Sequence, residues 1–339
     1  MSRPKRHHYV TRAYLEGFLE ANEKCLWVYG RHRRNQYTAK PESTAFQKNY
    51  YSFKKLDGTW DDTLEEFLAN EIEGPGIELI RRLATRNLTL TWKERERLAL
   101  LLAFQEFRVP FMRHFHDEMF RRILDSLQED LGTKVESNLR LRAFLQFSQS
   151  ISEITVTPDS IQSELQKIAE EPARFSRESM THQAMDFMRI YRYMRWEIRY
   201  AIGGERFVTS DCPVMRVFAN KGEKSISLLR TDVEIRFPLS GTTMLVLTHD
   251  QEVMAKVKAA GANSNAPFDE FERAPKIYDK EVTDASVSAA NTITAKYCHF
   301  WLFSGREMPA AISLLTGQSE NIKRDLEINE NYLRVFGSL

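Results

Sequence analysis

The chain has 339 residues, of which 48 are Lys or Arg and 47 are Asp or Glu, so its net charge of +1 is close to zero. This balance argues against a protein that coats nucleic acid through charge alone. Three scattered cysteines without Cys-x-x-Cys spacing argue against a disulfide framework or a zinc knuckle, and they favour a cytoplasmic protein with reduced thiols.

No apolar run approaches the roughly 18 residues that a transmembrane helix needs, and the basic N-terminus lacks the apolar core of a signal peptide. The sequence therefore predicts no membrane association.

The first segment, residues 5–18, combines adjacent histidines with basic and aromatic side chains. Free N-termini are usually polar and frayed, so this composition predicts a segment that docks on the rest of the protein. We expect it to present His7 or His8 to a site, because imidazole exchanges a proton near neutral pH or ligates a metal. Residues 1–40 hold nine Lys or Arg against three Glu, and Arg6 and Arg12 are candidate contacts to nucleic-acid phosphates.

Two small hairpins are predicted next. Residues 25–29 are aromatic and β-branched and predict a strand, with a basic turn at 31–35. We interpret this turn as a solvated hairpin tip, with a phosphate contact as the alternative. Residues 50–53 and the Asp57-Gly58 turn predict the second hairpin.

Helices are predicted for the central part of the chain. Asp61 or Asp62 caps a helix that should end at Glu73, before the Gly-Pro-Gly run at 74–76. The capping box at residues 91–94 opens a longer apolar helix that extends to residue 115.

Within that helix, Pro110 predicts a kink, and Gln105 and Arg108 lie on one face close to it. A polar pair in an apolar helix has two interpretations. Arg108 is either buried against a helix acid as a structural clamp, or directed at a phosphate or a developing negative charge.

Another helix, capped by Ser176, is predicted to run about 25 residues to Gly203-Gly204. Four arginines spaced three or four residues apart would form one stripe along it: Arg189, Arg192, Arg195 and Arg199. A solvated basic face is the simpler interpretation. The alternative is a track for a nucleic-acid backbone that uses Arg192, Arg195 and Arg199.

The remaining chain predicts a sheet. Residues 206–215 form a strand, a tight turn at Ser210-Asp211 and a second strand, in which Asp211 either braces the loop or acts as a catalytic acid. Residues 236–240, 243–247 and 298–303 are further strands. Residues 250–261 and 283–295 are helices, the second carrying Asn291, and residues 263–275 are a loop or lid.

These elements predict an α+β fold in a single domain over residues 1–339. An N-terminal segment with hairpins (1–60) precedes a mainly helical centre (61–202), a mixed β-sheet (203–310) and a C-terminal helix or tail (311–339). We expect the N-terminal segment to pack on the C-terminal sheet and to bring His7 and His8 near Asp211.

In this order the motifs resemble the bacterial domain-of-unknown-function family 4238. That family opens with His-His-Tyr-Val-Pro-x-x-Tyr-Leu-x-x-Phe, which residues 7–18 match except that Thr11 replaces proline. Further matches are residues 26–29, Gln105, Arg108, Pro110, residues 209–211, Pro213, residues 238–240 and Asn291, with Cys212 where Asn is usual. Relatives occur among genes of anti-phage defence, which implies an effector that damages or sequesters something the phage needs.

The first functional hypothesis is a nuclease that acts on RNA or DNA. Its candidate catalytic residues are His7, His8, Gln105, Arg108, Ser210, Asp211 and Asn291. Histidine would act as general acid or base, Asp211 would orient it or hold a divalent metal, and Arg108 would stabilise phosphoryl charge.

The second hypothesis is a non-catalytic sensor that recognises a phage component, such as a phage protein, and leaves the damage to a partner. Metal requirement and oligomeric state stay open.

Overall fold

The computed structural model describes residues 6–32, 35–48, 50–54, 60–113, 172–219, 228, 230–251 and 276–316. The chain forms two compact units. The first comprises Met1–Glu106 and Phe187–Ser319, and the second comprises Phe107–Asp186 and Glu320–Leu339. Helices and several sheets occur together, which confirms the predicted α+β class.

The strands, numbered in chain order, are β1 (Arg6–His8), β2 (Leu26–Gly30), β3 (Gln36–Ala39), β4 (Phe46–Lys48), β5 (Phe53–Lys54), β6 (Trp60–Asp61), β7 (Arg195–Ala201), β8 (Thr209–Ser210), β9 (Met215–Phe218), β10 (Val233–Ser240), β11 (Thr243–Thr248), β12 (Ile277–Val282) and β13 (Trp301–Ser304). The α-helices are α1 (Arg12–Leu15), α2 (Thr63–Phe67), α3 (Gly74–Ala84), α4 (Trp92–Phe107), α5 (Pro172–Tyr191), α6 (Asp284–Tyr297) and α7 (Ala311–Thr316).

The larger sheet has five strands in the order β12-β7-β11-β10-β9. Strand β12 pairs parallel with β7 and the other pairs are antiparallel, so the sheet is mixed, as predicted for this region. The strands predicted at 236–240 and 243–247 are β10 and β11, which form a hairpin around Gly241. The second predicted hairpin is likewise confirmed by the antiparallel pairing of β5 with β6, and its predicted turn at Asp57-Gly58 lies outside the described residues.

A second, four-stranded sheet has the order β3-β2-β13-β8 and joins the two ends of the first unit. The strand predicted at 25–29 is β2, and it pairs with β13, the strand predicted at 298–303. The opening segment docks on β8 of this sheet and on β10 of the larger sheet, as predicted. The Tyr14 hydroxyl lies 2.8 Å from Thr209 Oγ1 and donates to Pro238 O at 2.7 Å, and its ring stacks on Phe237 at 5.0 Å.

Helix α6, predicted at 283–295, packs against both sheets. Val287 and Ala290 are buried with Met244 and Val246 of the larger sheet. At the other end of the helix, Ala295 is buried in a cluster that includes residues of β2, β13 and α7. A mostly small-residue helix can therefore lie close to two sheet faces at once.

The break predicted after Glu73 is wrong. The chain winds from α2 through a π-helical segment, Leu68–Glu73, directly into α3. Gly74 has helical torsions (φ −53°, ψ −59°), and Pro75 lies in the first turn of α3, where a missing N–H is tolerated. Gly76 permits close packing instead, because a Cβ there would lie 2.7 Å from Leu101 Cδ2.

We expect Gly76→Ala to lower the free energy of unfolding by about 1 kcal/mol. Overpacking against Leu101 costs about 1–3 kcal/mol, whereas the gain in helix propensity returns only about 1 kcal/mol. Urea denaturation measures the change. In a Leu101→Ala background the same substitution should be stabilising. If it also lowered the free energy of unfolding in that background, the steric explanation would be contradicted.

The capping box of α4 is confirmed. The Thr91 N–H donates to Glu94 Oε2 at 2.8 Å, and the Glu94 N–H donates to Thr91 Oγ1 at 3.3 Å. The helix is shorter than predicted, however. It ends at Phe107, a bend follows at 108–109, and helical structure resumes at Pro110, consistent with the clash that proline imposes on the preceding turn.

The predicted arginine stripe is wrong, because α5 ends at Tyr191 and the chain enters β7. Buried Trp196, Ile198 and Tyr200 alternate with more exposed residues, which is the period of a strand and not of a helix. The buried Arg95 guanidinium fixes the intervening turn by donating to the carbonyls of Arg192 and Met194. Gly203-Gly204 therefore follows a strand.

The described part of the second unit covers residues 107–113 and 172–186. Arg108, Val109 and Ala184 are buried there. The part of the predicted helical centre between residues 114 and 171, most of the helix at 250–261, the loop at 263–275 and the tail from 317 lie outside the described residues. No helix within the described ranges is long and apolar enough to cross a bilayer.

Candidate functional site

Asp211 lies in the turn after β8 and is 1% exposed. Its carboxylate accepts the N–H groups of His299 at 3.0 Å and Phe300 at 2.8 Å, and its own N–H donates to Trp301 O at 2.9 Å. These contacts go to the loop between α6 and β13 and to the first residue of β13. Of the two interpretations of Asp211, the contacts in the structure support a brace, although the loop it braces is the neighbouring one.

Burial raises the pKa of Asp211 to about 6. The backbone N–H groups of residues 299–301 and the Cys298 thiol act in the opposite direction, because they stabilise the carboxylate. The group therefore titrates near neutral pH within a closed environment.

Arg31, in the basic turn after β2, is buried at 6% exposure, so its interpretation as part of a solvated tip is wrong. Its guanidinium donates to Leu315 O at 3.2 Å and to Ala295 O. These carbonyls belong to the last turns of α7 and α6. Two helix C-termini, which carry partial negative charge, thus surround one cation.

The thiol of Cys298 lies beside both Asp211 and Arg31. Burial raises its pKa well above the usual value, Asp211 raises it further and Arg31 lowers it. The pKa of the Cys212 thiol is also raised, by burial, by Asp211 and by Cys298. Both thiols are therefore protonated and poor nucleophiles at neutral pH.

His7 is fully buried in β1, which pairs with β4. The Tyr51 N–H donates to His7 Nδ1 at 3.1 Å, and the two rings stack at 5.9 Å. Glu65 Oε2 lies 3.8 Å from the same nitrogen. An Nδ1 atom that accepts a hydrogen bond from the backbone is not available as a general base.

We expect His7→Phe to lower the free energy of unfolding by about 2 kcal/mol, because the ring stack survives but the buried Tyr51 N–H loses its acceptor. Thermal and urea denaturation would measure this loss. His7→Gln, which supplies an acceptor, is the control and should recover part of the stability. Equal stability of the phenylalanine variant and the wild type would contradict the assignment.

His8 and Arg6 lie on the more accessible side of β1. The His8 ring packs against Phe46 at 5.8 Å, and its carbonyl accepts the Tyr51 hydroxyl at 3.3 Å. The Arg6 guanidinium lies 4.9 Å from the centroid of the Phe46 ring.

Tyr9, which sequence analysis did not select, connects the opening segment to the Asp211 turn. Burial raises the pKa of its phenol, and Asp211, Cys212 and Tyr50 raise it further, so these groups lie near the ring. The Tyr9 carbonyl accepts Gln105 Nε2 at 2.9 Å. The segment therefore reaches the Asp211 neighbourhood through Tyr9, and Gln105 holds its backbone.

Ser210 and Asn291 also bond to backbone. Ser210 Oγ accepts the Cys212 N–H at 3.1 Å. Asn291 Oδ1 accepts the Val208 N–H at 3.0 Å, while its Nδ2 donates to Arg206 O at 2.8 Å. The Asn291 amide thus attaches α6 to the strand that leads to Asp211.

Glu106 is a second residue that sequence analysis missed, although it lies between Gln105 and Arg108. It is 9% exposed, pairs with Arg216 and accepts the Tyr191 hydroxyl. Glu106 therefore forms a clamp between a helix acid and an arginine with Arg216 as the cation, while the clamp expected for Arg108 stays a prediction. The signal available was an acid inside an otherwise apolar helix.

The family model described as "Protein of unknown function (DUF4238)" matches residues 6–307. This chain is a member of the DUF4238 family. The predicted resemblance is thereby confirmed over most of its length. No curated protein and no solved structure matches it.

In this DUF4238 protein, most of the arginines proposed for nucleic acid are paired with acids. Ion pairs join Arg12 to Glu16 at 3.2 Å, Arg192 to Glu96 at 3.0 Å and Arg199 to Glu197 at 2.8 Å. Arg195 differs, since it is exposed and lies 4.1 Å from the centroid of the Tyr278 ring.

A divalent metal was one option for the nuclease hypothesis. Among the residues that the structure describes, no group of three His, Cys, Asp or Glu side chains is arranged to hold a metal ion. Asp211 in particular is surrounded by N–H donors and a thiol. This donor set favours a carboxylate that stabilises a loop.

Proposed function

We propose that this protein is a non-catalytic recognition module of bacterial anti-phage defence, which binds a phage component and leaves the damage to a partner. One observation carries the proposal. Six of the seven candidate catalytic residues are at most 2% exposed, and His8 is the exception. A catalytic group must reach its substrate within hydrogen-bond distance, directly or through one water.

The hydrogen bonds of these residues support the same conclusion. His7, Gln105, Ser210, Asp211 and Asn291 each bond to a backbone group that is distant in sequence or that shapes a turn. Satisfied buried polar groups of this kind specify a fold. Side chains engaged in this way support a structural role for these residues and not phosphoryl chemistry.

The defence role rests on the family resemblance, since relatives occur among anti-phage genes. We also place the protein in the cytoplasm, which its three free cysteines support.

The proposal is tested with purified protein incubated with tRNA, mRNA, single-stranded DNA and plasmid, with Mg²⁺, Mn²⁺ or EDTA. We expect no cleavage under any condition. In cells, His8→Gln and a folded Asp211→Asn variant should still restrict phage plating as the wild type does. Cleavage that disappears in either folded variant would overturn the proposal in favour of a nuclease.

A further inference from the structure

Strands β7 and β12 present an exposed cationic face, which consists of Arg195, Arg199, Lys276, Tyr278 and Lys280. The strands run parallel, with Tyr278 opposite Glu197 and Lys280 opposite Arg199, so side chains of alternate residues share one side of the sheet. Arg195, Tyr278 and Lys280 are exposed, and Lys276 directly precedes β12.

One pair of charges on this face opposes the pairing of the two strands. Lys280 and Arg199 are like charges placed directly opposite each other, an arrangement that destabilises strand pairing. Glu197 forms an ion pair with Arg199, with 2.8 Å between Glu197 Oε1 and Arg199 Nε. Within the described ranges no carboxylate lies within salt-bridge distance of Arg195, Lys276 or Lys280. Three cations at the edge of a sheet that no described carboxylate pairs with favour an anionic ligand.

An aromatic ring lies among these cations. Tyr278 is 39% exposed, with the Arg195 guanidinium 4.1 Å and the Lys276 ammonium 5.3 Å from the ring centroid. Proteins bind single-stranded nucleic acid through this combination of an exposed aromatic ring and flanking cations, because bases stack on the ring while phosphates contact the cations.

We propose that the cationic face binds single-stranded nucleic acid without sequence preference. Phosphates contact Arg195, Lys276 and Lys280, and a base stacks on Tyr278. This inference rests on the proposed recognition function and names its ligand class. An acidic protein segment would use the same cations, but it would gain little from the planar ring.

The first test measures fluorescence anisotropy of labelled 20-mers of oligo(dT) and oligo(U) between 50 and 300 mM salt. Three phosphate contacts predict a slope of log K against log salt of about −2. The double variant Arg195→Glu/Lys280→Glu should bind at least tenfold more weakly, with a slope of about −0.7, since one contact remains. The control Lys24→Glu/Lys40→Glu changes the net charge equally at exposed lysines of the four-stranded sheet region, and it should bind nearly as the wild type does.

The second test separates stacking from charge. Tyr278→Ala should weaken binding about tenfold, and Tyr278→Phe should retain wild-type affinity. No wild-type binding at 50 mM salt, an equal loss in the control double variant, or poly-glutamate binding as tight as oligo(dT) would each overturn the inference. If this binding fails and no cleavage is observed, only the proposed ligand class is wrong. If cleavage is observed, the proposed recognition function itself is wrong.

Discussion

Replacement of Arg31 by methionine is expected to lower the free energy of unfolding by roughly 2–5 kcal/mol, since each buried carbonyl that loses its donor costs about 1–3 kcal/mol. Methionine fills a similar volume, so the loss reflects the guanidinium and not a cavity. The two carbonyls that Arg31 satisfies, Ala295 O and Leu315 O, would lose a buried charged donor. Helices α6 and α7 would then end side by side with uncompensated partial negative charge.

The measurement is urea denaturation of Arg31→Met and Arg31→Lys at pH 7. Lysine keeps the charge but lacks the planar fork that reaches two carbonyls, so it should recover only part of the stability. Lys40→Met, at an exposed position, is the control and should change stability by less than about 0.5 kcal/mol. A loss below about 1 kcal/mol in Arg31→Met would show that the guanidinium does not hold the two helix ends.

Local patterns in the sequence were sufficient to predict most elements of the first unit. The aromatic and β-branched strand at 25–29, the capping box at 91–94 and the hairpin around Gly241 are determined within a few residues, and the structure confirms them. Errors occurred where distant packing decided the conformation. Gly76 indicated a helix break from its local sequence, but its role is the close approach of Leu101.

The candidate site was predicted less well, for a physical reason. The sequence reveals that a residue is polar, but not which distant backbone group it satisfies. Asn291 bonds to residues more than 80 positions away, and Arg31 bonds to carbonyls more than 260 positions away. Arg31 was interpreted as solvated because its neighbours are basic, whereas its burial depends on two helices at the other end of the chain.

The exposed arginines show the converse. Arg195 was selected for a helical stripe that does not exist, yet the strand places it beside Tyr278, whose ring Lys276 also contacts. The residue type of Arg195 therefore pointed to an anionic ligand, although the secondary structure predicted for it was wrong. The buried polar groups and the exposed cations therefore belong to different tasks, since the first maintain the fold and the second remain available for binding.

Asp211 and His299 are expected to leave the stability of the wild type nearly independent of pH between 4 and 6.5. In a variant that lacks either side chain, the free energy of unfolding should change with pH. The pKa of Asp211 is raised from 3.8 to about 6 by burial, so its stabilising contribution is complete below pH 4 and is lost as pH rises through 6. The pKa of His299 is lowered from 6.5 to about 4, by burial first and then by Arg31 and His32. Its contribution is complete above pH 6.5 and is lost as pH falls toward 4.

Each shift corresponds to about 3 kcal/mol, because one pKa unit is about 1.4 kcal/mol. The two contributions have opposite signs in the same pH window and therefore cancel. Asp211→Asn should become about 3 kcal/mol less stable as the pH falls from 6.5 to 4. His299→Gln should become less stable by a similar amount as the pH rises from 4 to 6.5.

Urea denaturation at half-unit pH steps measures both slopes, expressed as the difference from wild type so that other titrating groups subtract out. The double variant Asp211→Asn/His299→Gln is the control and should regain the flat profile at lower overall stability. This cancellation needs both side chains to be shielded from water in the folded state, because burial is the largest cause of each pKa shift. Slopes of the same sign in the two single variants would contradict it, and so would a solvent-open Asp211 that titrates at its ordinary pKa.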